Sequence, residues 1–115
     1  MTRRFSVFML LWPLSAAAGN VTQVSVLDAE FRRVRTIQSA PDLTAFEQLW
    51  LERQKQGRDV AMRALYKIDI ERGGRSDRWL YDPAGLARRL SKRKTPVYRL
   101  PSAAAFNRLL AIEPQ

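Results

Sequence analysis

Residues 60 to 71 read Val-Ala-Met-Arg-Ala-Leu-Tyr-Lys-Ile-Asp-Ile-Glu and carry the strongest periodic signal in the chain. Val60, Met62, Ala64, Tyr66, Ile68 and Ile70 fall on one face. Ala61, Arg63, Leu65, Lys67, Asp69 and Glu71 fall on the other. Successive strand residues point to opposite sides of a sheet, so this alternation predicts a half-buried antiparallel strand over 60–71. Downstream, Gly73-Gly74-Arg75-Ser76 reads as a turn and Arg78 to Tyr81 as the returning strand. Asp82-Pro83-Ala84-Gly85 is a second turn, Leu86 to Ser91 a further strand, and Thr95 to Leu100 the last. Pro96 lacks an N–H and so places that last strand at an edge.

Upstream, Val21 to Leu27 reads as a strand, with Val24 and Val26 on one face. Asp28 to Glu30 turns the chain into Phe31 to Ile37, a basic strand expected at an edge or facing solvent. A helix then opens at Pro41 with Asp42 as N-cap, carries Leu43, Phe46, Leu49 and Trp50, and ends in Arg53-Gln-Lys-Gln-Gly57. Ser102 caps a final helix with Phe106, Leu109 and Leu110. Pro41, Ala45, Phe46 and Leu49 recur 60 residues later as Pro101, Ala105, Phe106 and Leu109, an echo that suggests a ββα pseudo-repeat. Local rules for strand-to-helix turns also produce such an echo. The predicted class is α+β: an antiparallel sheet of about five or six strands with two helices on one face.

The N-terminus reads as an address. Met1-Thr-Arg-Arg4 is basic, Phe5 to Leu14 is apolar, and Ser15 to Gly19 is small. That order is a secretory signal with Ala16 and Ala18 at the cleavage positions, leaving residues 19–115 as one domain. The apolar run is shorter than the ~20 residues that span a bilayer. The expected location is periplasmic or secreted.

The 115 residues contain no His and no Cys. Ser-His-Asp and Cys-His catalysis, thiolate metal sites and disulfides are therefore excluded. Carboxylates remain, and Asp69 and Glu71 lie two apart on one strand face, but Lys67 and Arg72 beside them make a surface charge ladder the stronger reading. Ser91-Lys92 are adjacent strand residues that point apart. Gly73-Gly74 lacks the Gly-Lys-Ser/Thr of a phosphate loop. No catalytic, cofactor or metal residue stands out.

Charge is segregated. Residues 19 to 62 carry six basic and six acidic residues, whereas residues 63 to 108 carry twelve and four. Arg63, Lys67, Arg75, Arg78, Arg88, Arg89, Lys92, Arg93, Lys94 and Arg99, with Trp79 among them, form the candidate partner-binding set. Trp79 and Tyr81 share a face, and the alternation fits either one. A basic sheet surface suits an anionic macromolecule. Export speaks against nucleic acid, so an acidic protein is the favoured partner, with an inhibitor or immunity protein as a concrete form. Anionic lipid or an envelope polymer is the alternative, and a small carboxylate-dependent hydrolase the third.

Gly74-Arg-Ser-Asp-Arg-Trp-Leu-Tyr-Asp-Pro83, then Thr95-Pro-Val-Tyr-Arg-Leu-Pro101 and the Ala105-Phe106-Asn107 helix, resemble a group of small exported proteins of Gram-negative bacteria. The resemblance implies a bacterial, periplasmic setting and transfers no catalytic residue.

Overall fold

The computed structural model describes residues 20–112. The expected signal segment, residues 1–18, lies outside them. The described residues form an α+β domain with seven strands and two helices. In chain order these are β1 (Val21–Leu27), β2 (Arg33–Ile37), α1 (Ala40–Leu51), β3 (Gln54–Gly57), β4 (Tyr66–Arg72), β5 (Arg75–Asp82), β6 (Leu86–Arg89), β7 (Val97–Arg99) and α2 (Ala103–Leu109). The sheet order is β2-β1-β4-β5-β6-β7-β3, and every pairing is antiparallel. The units β1-β2-α1 and β6-β7-α2 thus flank the central β4–β5 hairpin on opposite sides, and β3 closes the sheet beyond β7. In chain order each unit runs strand, strand, helix, but β3 adds an edge strand beyond β7 that has no counterpart beyond β2.

Both helices cover one face of the sheet. Val24, Val26, Ile68, Ile70, Trp79, Tyr81 and Ala87 bury against Phe46 and Trp50 of α1 and against Phe106 and Leu110 at α2. Trp50, Phe46 and Phe106 form a triangle of rings with centroids 5.5–5.9 Å apart, and Trp50 meets Trp79 edge-on at 4.7 Å. Burying each such side chain contributes roughly 1.5–3 kcal/mol. One polar chain crosses this core: the Tyr81 hydroxyl donates to Asn107 Oδ1, and Asn107 Nδ2 donates to the Pro83 carbonyl (2.8 Å).

Four elements depart from expectation. The strand predicted over 60–71 begins only at Tyr66. Its neighbours explain this: β5 turns after Asp82 and β1 after Leu27, so residues 60–65 have no backbone to pair with. They instead strap the outer face, where the Arg63 N–H donates to Asp82 Oδ2 (2.9 Å). The polar run after α1 is not a helix end but the edge strand β3. Consequently β7 is interior, and Pro96 escapes the ladder by preceding its first residue. The N-cap of α1 is Ser39 rather than Asp42, because Pro41 already lies within the first turn.

Gly85 fastens the sheet to α2. Its φ is +103°, and a Cβ there would lie 2.8 Å from Ala103 Cβ and 3.2 Å from the Leu100 oxygen. Gly85→Ala should therefore destabilise the protein by about 2 kcal/mol or more, read by chemical denaturation.

Burial, and secondarily the Asp82 carboxylate, raises the Tyr81 phenol above its ordinary pKa of 10.0. Below pH 10 the phenol is neutral in both folded and unfolded chains. Above it, the unfolded chain ionises while the folded one resists, so this contribution is lost as pH rises through 10 and beyond. Tyr81→Phe should cost about 1–3 kcal/mol at neutral pH by stranding Asn107, and should flatten the alkaline loss of stability.

Candidate partner-binding surface

The register assigns each predicted binding residue to a place. Lys67 lies opposite Leu27 and Leu80, Arg78 opposite Asp69, Arg88 opposite Leu80 and Val97, and Arg99 opposite Leu86 and Gln54. These four cations share the outer face, away from the helices. Arg89 lies opposite Trp79 and so belongs to the other face, near its rim. Arg75 sits at the tip of the β4–β5 hairpin and is exposed. Trp79 is a correction: at 7% exposure, it belongs to the core with Tyr81, because its face is the one the helices cover.

Several of the predicted cations already have partners. Arg78 holds Asp69 through two bonds of 2.7 and 2.8 Å, and this bond raises the guanidinium pKa further. Arg89 pairs with Asp77 at 3.0 Å. Arg88 is structural: Nε donates to the Thr95 carbonyl and Nη2 to the Arg58 carbonyl. Glu71 accepts from Gln23 (3.2 Å), so each carboxylate of the Asp69–Glu71 pair is engaged within the polar ladder of this face.

Arg88 thereby rivets the β6–β7 loop. Around it, Arg58 Nε donates to the Lys94 carbonyl and Thr95 Oγ1 to the Arg89 carbonyl. The Leu90 N–H reaches the Arg78 carbonyl at 2.8 Å, which continues the β5–β6 register and sets Leu90 beside Arg78 on the outer face. The loop held in this way presents Leu90, 51% exposed, followed by exposed Lys92, Arg93 and Lys94. Lys94 meets Asp59 at 3.2 Å, but that carboxylate is almost fully exposed, so the pair is screened and weak. Lys92, Arg93 and Arg99 make no ion pair among the described residues.

Sequence reasoning missed Phe31, Leu90 and Arg58. The sequence pattern places Phe31 in a strand. It lies instead in the β1–β2 turn at φ +64°, with its ring 57% exposed on the outer face. Lys67 Nζ lies 4.2 Å from the ring centroid and Arg78 Cζ 5.6 Å. Comparison with protein-family models, curated proteins and solved structures finds no match to this chain. Among the described residues, no group of three or more His, Cys, Asp or Glu is placed to hold a metal, and no helix is long and apolar enough to cross a membrane.

Removing the rivet should loosen the loop without unfolding the sheet. In Arg88→Ala, amide exchange of residues 90–95 should accelerate by about tenfold or more while that of Ile68 and Ile70 stays protected.

Proposed function

We propose that this chain is an exported, non-enzymatic binding protein that docks an acidic protein through the outer sheet face and its β6–β7 loop. One observation carries the reading. The fold spends four side-chain hydrogen bonds from Arg58, Arg88 and Thr95 on fixing a loop whose exposed residues are one leucine, one serine and three cations. A solvated charge run kept only for solubility needs no such frame. A pre-ordered loop loses little entropy on binding, and cations around an apolar side chain suit a carboxylate-bearing protein surface. The absence of His and Cys from the sequence supports binding over catalysis, and the basic, apolar and small N-terminal order supports export. Blocking an acidic enzyme surface, as an inhibitor or immunity protein does, is one form this docking takes.

The test compares tagged wild-type protein with a K92E/R93E/K94E variant, each exposed to cell-envelope extract at low and high salt. The wild type should retain a protein in stoichiometric amount, and charge reversal should weaken that retention by about tenfold or more and reduce its salt dependence. Retention of lipid or polymer alone, lost as salt rises, would assign the loop to anionic envelope material instead.

A further inference from the structure

We propose that Phe31 is the apolar anchor of this interface, held in a left-handed backbone conformation so that its ring enters an apolar, carboxylate-rimmed socket on the acidic protein partner. This rests on the binding reading above and names the side chain at its centre.

The turn itself does not need a ring. Asp28 Oδ1 accepts from the Glu30 and Arg32 N–H groups, both at 2.9 Å. The Asp28 N–H donates to the Arg32 carbonyl (2.9 Å) and the Phe31 N–H to the Asp28 carbonyl (3.0 Å). The bond from the Arg32 N–H is the largest influence holding the Asp28 carboxyl below its usual pKa. These contacts specify the turn through Asp28 and the backbone. The left-handed position they create suits Gly, Asn or Asp, whereas a bulky side chain there is strained. Here it is occupied by phenylalanine, and the ring is more than half exposed although the core lies on the opposite face. Strain and exposure both oppose keeping Phe31 for stability, and strained positions cluster at functional sites.

Its surroundings match the anatomy of a binding centre. Phe31 lies over Arg78 from one side, and Leu90 flanks Arg78 from the other. Lys67 beneath the ring makes no ion pair among the described residues, and Lys92 and Arg93 follow Leu90. An apolar centre with a cationic rim is the pattern in which buried aromatics dominate affinity. A protein socket suits Phe31 better than an anionic bilayer. The turn sets Asp28 and Glu30 against a single Arg32 that pairs with both (2.9 and 3.1 Å), so it adds no positive charge for a uniformly negative surface, whereas a socket can place its carboxylates opposite Lys67, Lys92 and Arg93.

A random library of 12-residue peptides, panned on the purified protein and compared with Phe31→Asn and K92E/R93E/K94E, tests this. Asn fits the left-handed position, so its Tm should stay within about 3 °C of wild type or rise. Selected peptides should combine Asp or Glu with a large apolar residue. Phe31→Asn should weaken their capture by about tenfold or more. Equal capture by wild type and Phe31→Asn would overturn the anchor while leaving the charge reading intact. A Tm fall of more than about 5 °C would overturn it too, because the ring would then serve to rivet the turn. Peptides without carboxylates, indifferent to charge reversal, would sink the acidic-partner reading itself. A library that yields no binder counts against the anchor, since a pre-formed aromatic centre should capture short peptides.

Discussion

Trp50 is where the fold closes. With no disulfide available, the two helices and the sheet are held mainly by packing, and one indole touches both helices and the sheet. It stacks on Phe46 within α1, on Phe106 of α2, and against Trp79 of β5. A small domain has little core to spare, so this aromatic cluster commits the chain to one buried sheet face. The charge distribution follows. Every strand alternates, and once the apolar set is turned to the helices, the Lys67, Arg78, Arg88 and Arg99 set has only the other face to occupy.

Arg53 extends that commitment to the sheet edge. Its guanidinium lies over the rings of Trp50 (4.6 Å), Tyr98 (5.3 Å) and Trp79 (5.5 Å), and Nη1 donates to the Trp50 carbonyl. Burial lowers its pKa, and Nε has no hydrogen-bond partner among the described residues. The aromatic faces replace part of the lost hydration. Because Arg53 immediately precedes β3, seating it places Gln54–Gly57 against β7. At the other end, Arg58 bonds to the Lys94 carbonyl. An edge strand without apolar side chains is thus held by an arginine on each side.

This explains what the sequence could and could not reveal. The α+β class, the basic edge strand β2 and the central hairpin were legible because burial leaves a period-two record in Val24, Val26, Ile68 and Ile70. β3 left no such record: Gln-Lys-Gln-Gly pairs through its backbone alone. The early end of β4 was hidden for the opposite reason. Residues 60–65 keep the alternation but lack a partner strand, and pairing depends on where β1 and β5 turn. Of the binding set, the clustering of cations on one face was readable from strand parity once the core face was known. Their bonding was not. That Arg88 holds carbonyls while Lys92 and Arg93 make no ion pair among the described residues depends on contacts such as Arg88–Arg58, 30 residues apart. Phe31 was invisible as a turn residue because its type argues against the conformation it adopts.

The sheet has two open edges, and both carry cations. β2 presents Arg33 and Arg35, and β3 presents Lys55 between two glutamines. Charged edges oppose strand addition by another copy of the same chain, since like charges would face each other along the new ladder. Gln56 also folds back, its Nε2 donating to the Gln54 carbonyl (3.2 Å). Backbone pairing is thereby discouraged at both ends of the sheet. The residues 58–65 strap covers the outer face over β5–β7, where Val97 is fully buried. What is left open is the stretch from the β1–β2 turn across Lys67 and Arg78 to Leu90. There the sheet offers exposed apolar side chains on a rigid frame, and recognition can proceed through side chains without recruiting the edges.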